Sequence, residues 1–306
     1  MKRKIIVGSR GSRLALIQTG SVTDLLKRAN PGLETEIKKI VTTGDRDRHS
    51  GLDRIGVDIF VKEIEEALLE GRIDIAVHSL KDVPTEIPEG LRILAVTERL
   101  DPGDVLISRG QRLAELAPGS RIGTDSLRRT AQLAGCRPDL LACPVRGNIE
   151  TRLRRVANGE VDGVILAAAG LIRLGLQHKI TEYLPLDSFL PAAGQGALAI
   201  EGRHNDEKIA NIISPINHLP TWWSITAERA FLEALGAGCR APIAVLGTVD
   251  NTSLKLDAMV ASPDGSEVQR ASAEDNTSSP QSLGIRLAQK LLAMGVGKLL
   301  REATTL

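Results

Sequence analysis

FVKEIEEALLEGRIDIAVHSLKDVP, residues 60–84, holds a helix, its stop signal, a strand and a loop in one run. Phe60, Ile64, Ala67 and Leu68 recur at helical spacing. Gly71 supplies the left-handed residue that closes such a helix, and Ile73-Asp-Ile-Ala-Val77 follows at once as a β-rich run that ends at His78. Helix, turn, strand and loop in that order are the units of an α/β domain, in which ligands gather at the carboxyl ends of the strands. The loop from His78 to Pro84 stands at such an end.

The same rhythm extends both ways. Towards the start, Ile5 to Val7 reads as a strand and Ser12 as a helix N-cap. Leu14, Leu16, Ile17, Val22, Leu25 and Leu26 form an apolar stripe ending near Asn30-Pro31-Gly32, and Thr35 to Val41 alternates as a second strand. Residues 43–58, TGDRDRHSGLDRIGVD, fit neither period and read as a mobile loop. Beyond Asp101-Pro-Gly-Asp104 the pattern restarts with a strand at Arg121-Ile-Gly-Thr124, a helix from Ser126, a strand at Leu140 to Ala142, a helix from Asn148 and a strand at Val164 to Leu166. Val7-Gly-Ser-Arg-Gly-Ser12 and Ile122-Gly-Thr-Asp-Ser126 echo each other faintly, each placing Gly and Ser or Thr between a strand and a helix start. From Trp222 a helix leads to Gly236. Three strands follow, Ile243 to Val249, Leu254 to Val260 and Glu267 to Ala271, and then a helix near Gln281 to Leu292. The fold expected is α/β: two lobes with mainly parallel or mixed sheets and a small α+β C-terminal domain.

Composition narrows the function. The 306 residues suit two or three domains, and 42% apolar with 25% charged residues is ordinary for a globular chain. Lys and Arg number 39 against 38 Asp and Glu, a net charge of +1 that gives no general attraction to nucleic acid or anionic membrane. Aromatic residues make up 2%, too few for base-stacking platforms. Cys136, Cys143 and Cys239 are too few and odd in number for a disulfide framework, which suits a reducing cytoplasm. The start has an apolar run of only three residues, Ile5–Val7, before Gly8, short of a secretory signal, and no apolar stretch nears the roughly 20 residues of a membrane span.

Charge is uneven, however. Between Arg121 and Arg155 stand eight arginines and no lysine against Asp125, Asp139 and Glu150. Arg128 and Arg129 fall in the first turn of a helix, where basic residues oppose the macrodipole unless an anion is bound. Free N–H groups, a Ser hydroxyl and Arg forks there suit carboxylate or phosphate, and Arg10, Ser12 and Arg13 repeat the arrangement in the first lobe. The plainer alternative is a solvated helical face. Asp82 beside Lys81 could hold a cationic intermediate and move protons, or be an ordinary loop residue before Pro84. Gly236-Ala-Gly-Cys239-Arg240 presents a thiol in a Gly-rich loop, with Arg240 able to lower its pKa; covalent attachment competes there with a plain structural cysteine. Histidines and cysteines lack metal-ligand spacing, so no metal is expected.

Taken in order, VGSRGSRLAL, FVKEIEEALL, DIAVHSLKDVP, GTDSLRRTAQL, VRGNIETRL, LAAAGLIRLGL, LPAAGQGALAIE and GAGCRAPI resemble the porphobilinogen deaminase (hydroxymethylbilane synthase) family from about residue 5 to 249. The resemblance implies two periplasmic-binding-protein-like lobes, residues 1–97 with 197–215 and residues 102–192, and a C-terminal domain, residues 219–306. It implies a dipyrromethane cofactor joined by a thioether to Cys239, and a monomeric cytoplasmic transferase that condenses four porphobilinogen molecules into hydroxymethylbilane. Asp82 would be the catalytic carboxylate. Arg10, Ser12, Lys81, Thr124, Ser126, Arg128, Arg129, Arg146, Gly147, Arg152 and Arg173 would bind cofactor and substrate, and Gln195 would belong to a hinge. Arg54, Asp58 and Phe60 fall in the family's lid. There, Gly56-Val-Asp58-Ile59 replaces a Gly-Gly-Lys-Gly run, so a carboxylate stands where a lysine would face a polyanion. The rival expectation is a non-catalytic two-lobed protein that binds a small anion, since fold does not fix function.

Overall fold

Three helices begin on the polar residues that mark them in the sequence. Ser12 Oγ accepts from the Ala15 N–H at 3.2 Å, Ser126 Oγ from the Arg129 N–H at 3.4 Å and Asn148 Oδ1 from the Thr151 N–H at 2.9 Å, each satisfying an N–H the helix leaves without a partner. The structure is a computed structural model that describes residues 4–43, 61–236 and 241–304. The chain forms two compact units, Met1–Leu100 with Ala197–Trp222 and Asp101–Gly196 with Trp223–Leu306.

The first unit is built on five strands: β1 (Lys4–Arg10), β2 (Glu34–Ile40), β3 (Ile75–Ser79), β4 (Leu91–Val96) and, far later, β10 (Leu198–Arg203). Their order is β2-β1-β3-β10-β4; β1 runs parallel to β2 and β3, and β10 runs antiparallel to both its neighbours. One face packs Ile5, Val7, Ile75, Val77, Leu198 and Ile200 against Val22 and Leu26 of the Arg13–Ala29 helix and Ile209 and Ile213 of the Glu207–Ile213 helix. The other packs Ile40, Ala76 and Leu91 against Ile64, Ala67 and Leu68 of the Lys62–Leu69 helix. Burial on both faces explains why β3 reads as an almost unbroken apolar run.

The second unit holds two sheets. In the first, β5 (Asp104–Ser108), β6 (Arg121–Gly123), β7 (Leu141–Cys143), β8 (Gly163–Ala167) and β9 (Glu182–Tyr183) lie in the order β7-β6-β8-β5-β9, with β6 parallel to β7 and β8 and β5 antiparallel to β8 and β9. This is the arrangement of the first unit's sheet, with one difference in chain order: the antiparallel strand comes first here and last there. The echo between residues 7–12 and 122–126 therefore marks equivalent places, the link from a central parallel strand to its helix. In the second sheet, β11 (Ile243–Asp250), β12 (Ser253–Ala261) and β13 (Val268–Asn276) form an antiparallel meander. Val245, Leu254, Leu256, Ala258 and Val260 pack on Phe231 of the Leu219–Leu235 helix and on Leu283, Leu287 and Leu291 of the Pro280–Ala293 helix.

Mixed sheets in two α/β lobes and a small domain of antiparallel strands and helices agree with the expected class. Sequence reading passes over β4, β5, β9 and β10, and it stops β13 at Ala271. That strand runs on through Glu274, Asp275 and Asn276, with exposed and half-buried residues alternating along its length; polar side chains tolerate that position because only one face is covered.

Buried Glu228 ties the segments of the second unit together: its Oε2 accepts from the Gly194 N–H and its Oε1 from the Gly247 N–H, both at 2.7 Å. Glu228→Ala leaves both donors buried without that acceptor and is expected to cost on the order of 3 kcal/mol in chemical denaturation. A loss below about 1 kcal/mol would show that these bonds are replaced by water.

Candidate functional site

In the first unit the carboxyl ends of β1 and β3 lie side by side, because the two strands are parallel neighbours with Val7 opposite Ile75 and Gly8 opposite Ala76. β1 delivers Arg10 and the capping Ser12 to that edge. β3 delivers a 3-10 turn, Leu80–Asp82, fixed by the Leu80 N–H on the Ala197 carbonyl at 3.1 Å and the Val83 N–H on the Leu80 carbonyl at 3.0 Å. Gln18 Nε2 donates to Ser79 Oγ at 2.9 Å just before the turn, and buried His78 Nε2 lies 3.1 Å from buried Glu201 Oε2. Asp82 is thus held by its backbone. Its half-buried carboxylate has no hydrogen bond or ion pair with a described residue, which leaves it available to a ligand.

The second unit gathers its guanidinium groups at the same kind of edge. Thr124, just past β6, is buried; its N–H donates to the Cys143 carbonyl at 2.9 Å and its Oγ1 accepts from the Ser126 N–H at 3.2 Å. Ser126 then opens the Leu127–Cys136 helix, on which Arg128 and Arg129 are buried rather than solvated. Asp104, the fully buried first residue of β5, receives both: Arg128 Nη1 on Oδ2 and Arg129 Nη2 on Oδ1, each at 2.7 Å. Gln195 Nε2 adds a third donor to Oδ1 at 2.9 Å and also reaches the Pro102 carbonyl at 2.6 Å. Burial alone would raise the Asp104 carboxyl; the two guanidinium groups outweigh it and hold the group well below the usual carboxylate range.

The anion expected at this helix start is therefore, in the first place, internal. Sequence reading pairs these arginines with a ligand and misses Asp104, whose signal is a carboxylate opening an apolar strand in a chain with two adjacent arginines to match. The pair is not saturated, however. Arg129 Nε is buried without a partner, and one carboxylate against two guanidinium groups leaves a net positive charge. Arg173, at the end of the Ala168–Arg173 helix, is half-buried and donates to the Gly196 carbonyl at 2.7 Å; burial pulls its guanidinium down to about 10, with no carboxylate to offset it. Arg152 is better satisfied, on Asp125 Oδ2 at 3.1 Å and the Gly147 carbonyl at 2.9 Å. Gly147 has φ +109, and a Cβ there would meet Thr151 at 2.8 Å, so glycine is required on both counts. Arg146 beside it is half-buried.

An orphaned guanidinium N–H and an uncompensated Arg173 fit a carboxylate-bearing group. Cys239 and the lid residues Arg54, Asp58 and Phe60 lie outside the described residues. The other thiols are poor candidates for attachment: Cys136 is exposed at a helix end, and burial pushes the Cys143 thiol up. Among the described residues no three His, Cys, Asp or Glu side chains cluster as a metal site, and no helix is long and apolar enough to cross a membrane.

Two family models match the chain: porphobilinogen deaminase, dipyromethane cofactor binding domain, over residues 5–211, and porphobilinogen deaminase, C-terminal domain, over residues 222–293. The porphobilinogen deaminase of Desulforudis audaxviator is 49% identical over 302 residues, covering 98% of each chain, and that of Pelotomaculum thermopropionicum is 47% identical over 305 residues, covering 99% of this chain and 98% of its own. Among solved structures, the methionine binding protein MetQ aligns with a TM-score of 0.45 at 14% identity, over 72% of this chain and 90% of its own.

The Asp104 pairing has a pH signature. Its folded carboxyl titrates below the unfolded value of about 3.9, so the stabilisation is complete above that value and is lost as pH falls through the folded one. Asp104→Asn strands two buried guanidinium charges and is expected to lower stability by about 3–5 kcal/mol at neutral pH, with the gap to wild type narrowing below about pH 4. Acid-unfolding curves that stay parallel for the two proteins would reject the pairing as their source.

Proposed function

The chain belongs to the porphobilinogen deaminase family, and from that premise we propose that Asp82 is the proton-transferring carboxylate of a transferase that joins four porphobilinogen molecules head to tail into linear hydroxymethylbilane. The observation that carries this is a half-buried carboxylate, fixed by its backbone turn at the end of β3, that no described residue engages. The matches support the enzyme over a non-catalytic anion-binding protein.

Each addition breaks the bond from the aminomethyl carbon to nitrogen and releases ammonia, which requires a proton at the amine. A cationic methylene-pyrrole remains, and bond formation to it displaces a proton from the α-carbon of the attacking ring. One proton is given and one is taken, so a single carboxyl group returns to its starting state after each addition. Between the two steps the Asp82 carboxylate faces the cation and stabilises it by charge. The dipyrromethane, when bound, supplies the pyrrole α-carbon on which the chain starts; Cys239 is the residue we assign to hold it, through a thioether.

Every pyrrole unit carries an acetate and a propionate, so the growing chain is a polyanion. In the second unit Arg173 and the unpartnered Nε of Arg129 are the donors that invite those carboxylates, with Arg146 in the same unit; Arg10 and Lys81 stand at the strand ends of the first unit. Thr124, Ser126 and Ser12 add hydroxyls at helix starts, and Gly147 and Arg152 hold the turn that presents Arg146. Gln195, bonded to Asp104 and to Pro102, is assigned to the hinge because both segments adjoin the places where the chain passes from one unit to the other. The sparse, odd cysteines support a reducing cytoplasm, the balanced charge supports the absence of nucleic acid or membrane as partner, and the family resemblance supports a monomer.

Asp82→Asn keeps the shape and removes the charge and the proton acceptor, so turnover is expected to fall by about 10² or more with the cofactor still in place; near-normal turnover moves the proton transfer elsewhere. Intact mass tests the attachment. Active wild-type protein should be heavier than its sequence by two linked pyrroles, and Cys239→Ser should lose both that increment and activity, because a hydroxyl is a far poorer nucleophile than a thiolate. A persistent increment in Cys239→Ser would place the cofactor on another residue.

A further inference from the structure

The β12–β13 hairpin ends in Ser262-Pro-Asp-Gly-Ser266, a turn tied by its own polar groups. Asp264 Oδ1 accepts from Ser262 Oγ at 2.6 Å, from Ser266 Oγ at 2.8 Å and from the Ser266 N–H at 3.1 Å, and the Gly265 N–H donates to the Ser262 carbonyl at 3.0 Å. Gly265 has φ +73, and a Cβ on it would stand 2.5 Å from the Ala131 carbonyl oxygen and 3.0 Å from both Ala131 Cα and Ala134 Cβ. The rigid tip therefore rests on the backbone of the Leu127–Cys136 helix. Behind it Ala131 and Leu190 share one buried cluster with Ala244, Leu246, Met259 and Ala261 of the small domain's sheet. Arg270 on β13 donates to the Asp187 carbonyl and, at 3.1 Å, to that of Ser188.

The helix under the tip is the one that carries Arg128 and Arg129. Their side chains are held by short bonds, at 2.7 Å to Asp104 and, for Arg128, at 2.6 Å to the Leu190 carbonyl. A backbone carbonyl cannot swing aside as a side chain can, so anything that thickens the tip moves the helix, and the arginines move with it.

We propose that the Ser262–Ser266 tip is a positioning element for cofactor assembly: Gly265, in the domain whose Cys239 is assigned the cofactor, sets the place of the helix whose Arg129 offers its unpartnered Nε to the cofactor's carboxylates. The inference rests on the reading of Arg129 given above. Relieving a Cβ at 2.5 Å to ordinary van der Waals separation takes about 1 Å, a displacement that in a preorganised site costs up to about 10²-fold.

The test compares Gly265→Ala with Gly284→Ala, each purified without cofactor and incubated with porphobilinogen below its melting temperature. Gly284 makes an equally tight approach within the small domain, to the Ala227 carbonyl, the Phe231 N–H and Ala230 Cβ, and the arginine helix is not among its contacts. Gly265→Ala is expected to load cofactor about ten- to a hundredfold more slowly by intact mass. The loaded fraction should show a raised KM for porphobilinogen and a nearly unchanged kcat. Gly284→Ala should melt earlier yet load at the wild-type rate. Wild-type loading by Gly265→Ala, or a loss in both variants that tracks their melting temperatures, overturns the proposal. Should Gly265→Ala fail to fold, Asp264→Ala loosens the tip without a clash: a smaller loss in the same direction supports the proposal, and unchanged loading and KM reject it. Arg129→Gln separates the two layers, because normal loading there sinks the arginine reading itself, whereas a defect there beside a normal Gly265→Ala sinks only the positioning role.

Discussion

One buried carboxylate organises the second unit. Asp104 is fully buried, and a lone charge in that setting would be costly; two guanidinium groups and an amide around it offset the desolvation and in turn fix three segments distant in sequence. The same arginines reach the carbonyls of Leu190 and Ile165, so the start of β5, the middle of β8, the Leu127–Cys136 helix and the approach to Gln195 meet at one point. Because a single negative charge answers two positive ones, the cluster is stable as a structure and still carries a net positive charge. A site that must hold successive carboxylates needs both properties.

The repeated lobe shows how the same edge serves opposite charges. In each unit a short parallel strand passes through a Gly-Ser or Gly-Thr link into a capped helix, and the neighbouring parallel strand ends beside it. The first unit places a carboxylate, Asp82, in the turn that follows the second of those strands. The second unit places the guanidinium groups of Arg128 and Arg129 on the helix and Arg173 on the helix that follows β8. Backbone architecture supplies the position, and a few side chains supply the sign.

What the sequence reveals follows from how local each feature is. Ser12, Ser126 and Asn148 announce their helices because a cap is decided within three residues. The loop after β3 is legible from strand and proline as a loop at a carboxyl strand end, where ligands gather, while local sequence leaves an ordinary loop residue open at Asp82. β4, β5 and β10 are harder to see: they are short apolar segments whose pairing partners lie far away, and β10 joins a sheet begun almost two hundred residues earlier. The basic first turn at Arg128 and Arg129 is a sound signal for an anion, but nothing nearby tells which anion, because Asp104 stands more than twenty residues upstream on another element. Glu228 illustrates the same limit: a carboxylate on an apolar helix is visible, and its two backbone donors are not.

The late arrival of β10 bears on how the protein is made. In the finished sheet β10 lies between β3 and β4, which do not pair with each other. During synthesis those two strands emerge about a hundred residues before the strand that separates them, while all five strands of the β5–β9 sheet come out in one uninterrupted stretch. The second lobe can close its sheet on the ribosome; the first must wait with two open edges, and such edges template wrong pairings. Nascent chains that have released β4 but not yet β10 are the stage at which chaperone demand should concentrate.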